Sequence, residues 1–190
     1  MLAQIISLIV DTLGSLFVYL LLLRFHMQWT RAPFRNPVGE MIAGLTNWLV
    51  LPARRFIPGL LGLDMATLLL AWLVQGLIMA LLMSLQGHNF GNAPGMAVLV
   101  LALVSAVELL IMSVYLLIGA AIVQAILSFI SPYSVLSPVL DALTRPFYKP
   151  FRRFIPPLGG IDLSPLFLVL AAQIAIMLLR QLKMMAVSPF

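Results

Sequence analysis

Long apolar runs alternate along this chain with short stretches that hold most of its charge. The runs at about Leu2–Met27, Met65–Leu85 and Leu163–Leu182 are each long enough to cross a hydrocarbon core as a helix, which takes about 20 residues. A further run, within Met96–Ile130, is too long for one crossing at a rise of about 1.5 Å per residue. Between the runs lie shorter amphipathic patterns. Val38, Met41, Ile42, Leu45, Trp48 and Leu49 recur at helical spacing, as do Leu136, Val139, Leu140, Leu143 and Phe147. Asn36-Pro37 and Ser137-Pro138 are good helix starts, a capping side chain followed by proline at the first helical position. Glu40 and Asp141 follow in the first turn, where the helix dipole favours an acid. The predicted short helices, about Pro37–Leu51 and Pro138–Lys149, end at Pro52 and Pro150. They are too short to cross, so each is expected to lie flat in the interface with its apolar face toward lipid.

The pattern repeats. Arg54-Arg55-Phe56-Ile57-Pro58, then Leu60, Gly62 and Asp64, returns at the same spacing as Arg152-Arg153-Phe154-Ile155-Pro156, then Leu158, Gly160 and Asp162. Each block opens onto an apolar run with a glutamine at the matching place, Gln75 or Gln173. Tyr19 and Gln28 align with Tyr115 and Gln124. The second copy's first span then occupies about Ser105–Ser128, and Ala93–Val104 is an extra apolar segment. The expected organisation is a first repeat at 1–88, a linker with the extra segment at 89–104, and a second repeat at 105–190. The fold class is all-α membrane protein by tandem duplication. Each repeat is a transmembrane helix, a short interfacial amphipathic helix and a second transmembrane helix, four spans in total. Two spans per copy make the repeats parallel, with a pseudo-axis along the membrane normal.

Composition agrees: 63% of the 190 residues are hydrophobic and 9% charged, against about a quarter charged in soluble domains. The net charge of +5 sits beside apolar runs, so it points to lipid phosphate and topology, and no direct nucleic-acid binding is expected. Arg31, Arg35, Arg54 and Arg55 crowd the first linker, and Arg145, Lys149, Arg152 and Arg153 the second, while Gln86–Gly95 carries no Lys or Arg. The positive-inside rule places both basic linkers in the cytoplasm and both termini outward, although Arg180 and Lys183 pull mildly the other way. The chain has no cysteine, so thiolate chemistry and cysteine metal sites are excluded. The first run has no basic start and no small-residue cleavage site, and is expected to be a retained helix.

Candidate functional positions are few. In the Arg-Arg block a structural corner is expected: arginines at phosphate level, a glycine turn, and an aspartate capping the next helix. Compatible with this, Arg54, Arg55, Arg152 and Arg153 are candidate contacts for anionic lipid head groups or a partner protein. Gln75 and Gln173 fall near mid-membrane and are expected to face the bundle interior, because an unpaired amide in hydrocarbon is costly. Asp11 and Glu108 are intramembrane acids toward the outer side. They are candidates for proton or cation handling, or partners for Lys183 or Arg180. His26 and His88 fall at opposite faces and cannot share a metal. No triad, phosphate loop or metal-ligand spacing appears, so no cofactor, metal or catalytic residue is expected.

The residues Arg24, Gln28-Trp29 and Asn36-Pro37, both Arg-Arg-Phe-Ile-Pro blocks, and Ser164-Pro165 resemble the YggT family of integral membrane proteins in its two-repeat bacterial form. The halves are not equivalent, since Ala120 stands where Arg24 stands in the first copy. The resemblance implies a multi-pass protein of the bacterial plasma (inner) membrane. It brings associations with division or nucleoid organisation, cytochrome maturation in plastids, and osmotic-shock tolerance. The expected function is therefore a non-enzymatic assembly or organising factor with a basic cytoplasmic platform. Its partners would be the bilayer, anionic head groups and an unidentified membrane or cytoplasmic protein, with self-association left open. The alternative is an ion-handling protein tied to osmotic balance, ranked second because polar residues along the spans are scarce.

Overall fold

A computed structural model describes residues 1–60, 62–87, 94–131, 133–154 and 162–187. Six helices follow in order: α1 Leu2–Trp29, α2 Pro37–Ala53, α3 Met65–Leu85, α4 Pro94–Ile130, α5 Ser137–Phe154 and α6 Ser164–Val187. No strand occurs among the described residues. Helices α1, α3, α4 and α6 are long and apolar enough to cross a membrane. The short helices α2 and α5 fall one per repeat, between the spans, as the duplication predicts.

Caps set the boundaries. The Asn36 side chain accepts the Val38 and Gly39 amides, both at 3.0 Å, and Pro37 opens α2. Asp64 accepts the Thr67 amide at 3.3 Å and so starts α3. Asp162 accepts the Ser164 amide at 2.9 Å at the start of α6. Helix α1 ends in a Schellman turn: the Ala32 amide donates to Met27 O at 2.8 Å and the Arg31 amide to Gln28 O at 3.2 Å. This turn needs a left-handed residue at Arg31, whose φ is +55°.

Helix α4 is central and touches α1, α3, α5 and α6. Val18, Leu21 and Leu22 of α1 pack against Ala71 and Ile78 of α3 and Leu109 and Met112 of α4. Gly14 of α1 faces α3: a Cβ there would sit 2.6 Å from Ile78 Cδ1, and that side chain would have to shift. A second cluster, Met27, Ile42, Val139 and Leu143, joins the short helices of the two repeats beneath the end of α1. A third, Ile111, Ile118, Ala172 and Ile176, seals α4 against α6. Leu8, Leu77, Leu170 and Met177 stand exposed on the spans, as lipid-facing positions should.

Helix α4 runs unbroken from Pro94 through Ile130, so the apolar residues 94–104 lead directly into the second repeat's first span. Three expectations are corrected. Pro52 lies inside α2, which ends at Ala53, and α5 continues past Pro150 to Phe154. Pro146 and Pro150 both lie on the exposed side of α5, while Tyr148 and the half-buried Phe147 and Phe151 hold the other side in a core cluster. The carbonyls freed by the prolines can there be solvated, so the helix survives. Helix α5 also begins at Ser137 itself, with the Ser134 hydroxyl accepting the Leu136 amide at 3.3 Å. Finally, α2 buries Gly39, Ile42, Thr46 and Val50, while Met41, Leu45 and Trp48 are exposed. The helix has two apolar sides: one packs on the protein, the other is left for acyl chains.

Candidate functional site

The two Arg-Arg blocks build equivalent corners. Arg54 Nη2 donates to Asp64 Oδ2 at 2.6 Å and its Nε to Oδ1 at 3.3 Å. Arg152 Nη2 lies 2.9 Å from Asp162 Oδ2, and its Nε donates to the same oxygen at 3.0 Å. The first arginine of each pair thus clamps the aspartate that caps the next helix. Burial acts to raise the Asp64 carboxyl, but the hydrogen bonds from Arg54 and Thr67 and the Arg54 charge outweigh it and hold the group below its ordinary value. Asp162 is held low in the same way: burial opposes, and Ser164 and Arg152 prevail. The second arginines, Arg55 and Arg153, are exposed and form no ion pair among the described residues. Arg152 also lies over the Tyr148 ring, 5.1 Å from its centroid, and burial pushes the Tyr148 phenol up to about 12.

A threonine pins each short helix to the preceding span. In the first copy Arg24, 5% exposed, donates from Nη1 to Thr46 Oγ1 at 2.6 Å and Asn47 Oδ1 at 2.9 Å. In the second copy Thr144 occupies the place of Thr46. It donates to Leu140 O at 2.8 Å and meets the Gln124 amide at 2.5 Å. Ala120 replaces Arg24, and Gln124, one turn farther on, takes over its role. The apolar periodicity that located α2 and α5 gave no weight to Thr46 and Thr144. Their matched positions in the repeat were the available signal.

The intramembrane polar residues separate. Lys183 Nζ donates to Glu108 Oε2 at 2.6 Å, tying α6 to α4, and Arg180 donates to Tyr115 Oη at 2.5 Å. Asp11 is exposed, and the Ser15 hydroxyl lies 3.4 Å from its carboxylate. Gln75 is buried, with no hydrogen-bond partner for its Oε1 among the described residues. Gln173 does not face the interior: it is exposed on α6. The expected inward orientation fails there because α6 is an edge helix, touching only α4 and α5 among the described helices. Its contact stripe is Leu168, Ala172 and Ile176, and Gln173 lies outside it. The two glutamines therefore do not meet. His26 Nδ1 donates to Leu22 O at 2.7 Å, and His88 lies outside the described residues. No cluster of potential metal ligands occurs among the described residues.

Three cavities cluster around the end of α1. One of about 660 Å³ is bounded by Gln28, Arg31, Arg54 and Asp64. A larger one, about 1190 Å³, lies between Trp29–Arg31 and α5 and is lined by Arg145, Lys149, Arg152 and Arg153. The third, about 490 Å³ and mostly apolar, is an open groove lined by residues such as Trp29, Leu117, Leu143, Phe147 and Leu179.

Four apolar crossings, two interfacial helices and two matched arginine–aspartate corners define a multi-pass membrane protein built from two parallel repeats. The pattern of the CCB3/YggT family matches residues 3–86 and again 96–183. The chain belongs to that family. It is 39% identical over 172 residues to an uncharacterised protein of Pseudomonas aeruginosa, covering 90% of this chain and 85% of the relative. An uncharacterised protein of Vibrio alginolyticus is 34% identical, over 89% of this chain and 90% of its own length. The uncharacterised protein YggT of Escherichia coli is 31% identical, over 87% of this chain and 84% of its own. No solved structure matches.

Proposed function

We propose that this protein is a non-enzymatic organising factor of the bacterial plasma membrane, with its basic linkers in the cytoplasm as a docking platform for anionic lipid and a partner protein. One observation carries the reading: both repeats spend one arginine on the corner and leave the next, Arg55 or Arg153, exposed beside it. The ion-handling alternative has less support. Glu108 is already paired with Lys183, and Asp11 stands apart on the surface of α1. The test is affinity purification from native membranes with Arg55→Glu and Arg153→Glu, leaving Arg54 and Arg152 to hold the corners. Loss of specifically recovered partner proteins from a correctly inserted variant supports the platform. Unchanged recovery and an unchanged cellular phenotype overturn it.

A further inference from the structure

The junction between the repeats combines three features. The first is charge. Arg31, Arg145, Lys149, Arg152 and Arg153 converge on one cleft, with Asp141 as its acid. Arg152 is engaged by Asp162, and the other four cations have no ion-pair partner among the described residues. Four less one leaves three uncompensated positive charges.

The second feature is strain. Arg31 occupies the C′ position of the Schellman turn at φ +55°, where glycine is the usual residue. A β-carbon there costs about 1 kcal/mol or more. That strain places a cation at the mouth of the cleft, and backbone strain of this kind concentrates at functional sites.

The third feature is an adjoining apolar slot. The cavity between the end of α1 and helices α4, α5 and α6 shares Trp29 with the basic cleft. Trp29 meets Phe147 edge-on, ring centroids 6.0 Å apart, at the boundary between the two. A basic pocket that adjoins an apolar groove between membrane helices, with Trp29 lining both, suits a phospholipid's charged head and acyl tail.

We infer that this inter-repeat junction binds an anionic phospholipid whose head carries two phosphates, as in cardiolipin, with the head in the basic cleft and an acyl chain along the apolar slot. Two phosphates match three uncompensated charges better than one. The inference rests on the platform reading but assigns the site to Arg31, Arg145 and Lys149 rather than to the exposed second arginines alone.

Native mass spectrometry of the detergent-solubilised full chain tests it, with tetraoleoyl cardiolipin, dioleoyl phosphatidylglycerol, dioleoyl phosphatidylcholine and inorganic pyrophosphate as separate probes. Cardiolipin should be retained at the lowest concentration, phosphatidylglycerol more weakly, and phosphatidylcholine and pyrophosphate least. Arg31→Gly should weaken cardiolipin about fivefold, the effect of one basic side chain at a phosphate surface, while thermal unfolding stays unchanged or moves upward. Arg145→Gln with Lys149→Gln should weaken it about 25-fold. Arg35→Gln, an exposed arginine outside the cleft, should change nothing. Wild-type affinity in Arg31→Gly, an equal loss in Arg35→Gln, or phosphatidylcholine matching cardiolipin overturns the site. Phosphatidylglycerol matching cardiolipin overturns the two-phosphate head. Tight pyrophosphate with weak cardiolipin overturns the lipid in favour of a soluble phosphate. Partner recovery in an Arg55→Glu protein, changed outside the cleft, is read separately, so the platform and this site can fail independently.

Discussion

Replacing Thr46 with valine should destabilise the protein more than replacing the arginine it serves. Arg24 is buried within α1, and its visible compensation is two neutral oxygens, Thr46 Oγ1 at 2.6 Å and Asn47 Oδ1 at 2.9 Å. Its Nε has no partner among the described residues. A hydrogen bond to a charged group contributes about 1.5–3 kcal/mol. Thr46→Val removes one such bond and leaves the cation in place, so a loss of about 2 kcal/mol is expected. Arg24→Met removes the cation together with its desolvation cost, and replacing buried charge by apolar groups is often close to neutral. Thr46 is not orphaned by that change, because it still donates to Ile42 O at 2.6 Å. The expected loss for Arg24→Met is below about 1 kcal/mol, and the double variant should be more stable than Thr46→Val alone. Thr144→Val is the internal control. Its partner Gln124 is neutral, so about 0.6–1.5 kcal/mol is expected. Equilibrium unfolding in mixed micelles measures all four variants. A Thr144→Val loss equal to or larger than that of Thr46→Val, or additive single effects in the double variant, would refute the reasoning.

Acid should loosen the corners. The folded Asp64 carboxyl is held below its ordinary value of 3.8, so its contribution is complete above that value and disappears as pH falls through the lower folded one. Asp64→Asn should flatten the acid limb of a thermal-unfolding series, and an unchanged limb would show that the clamp contributes nothing. Gly39→Ala should cost about 1–3 kcal/mol, because its Cβ would meet Phe34 O at 2.3 Å. Gly44→Ala, in the same helix with nothing within 4 Å of its Cβ, should instead gain about 0.5–1 kcal/mol; chemical denaturation of the pair decides. With no native thiol in the chain, Arg55→Cys and Arg153→Cys should label only from the cytoplasmic side in cells, and periplasmic labelling of either refutes the orientation.

The architecture was legible because duplication leaves its mark at fixed offsets. Arg54 and Asp64 foretell Arg152 and Asp162, and both pairs close as capping corners. What escaped were choices between equivalent apolar surroundings. Hydrophobic periodicity marks which sides of a helix avoid water, but lipid and protein interior are both apolar, so it could not say that Ile42 packs inward while Met41 and Trp48 face out. Gln173 escaped for the same reason, since repeat matching assigned it the surroundings of Gln75, although among the described helices α6 packs on α4 and α5 alone. Arg31 gave no signal at all: nothing about an arginine after Thr30 announces a left-handed turn, which glycine would have.

The length of α4 has a mechanical consequence. Its 37 residues reach about 55 Å, against a hydrocarbon slab of about 30 Å. Even at a tilt of about 40°, the upper end of what transmembrane helices adopt, it projects about 42 Å along the normal. The surplus cannot sit in water, because Met96, Val98, Leu99 and Leu103 near its start are exposed and apolar. Tilt, bending of the helix and local thickening of the bilayer share this mismatch, at a fraction of a kcal/mol for each ångström. Where the bilayer does thicken, two such proteins that approach share one deformed annulus, which favours their proximity without any contact between side chains.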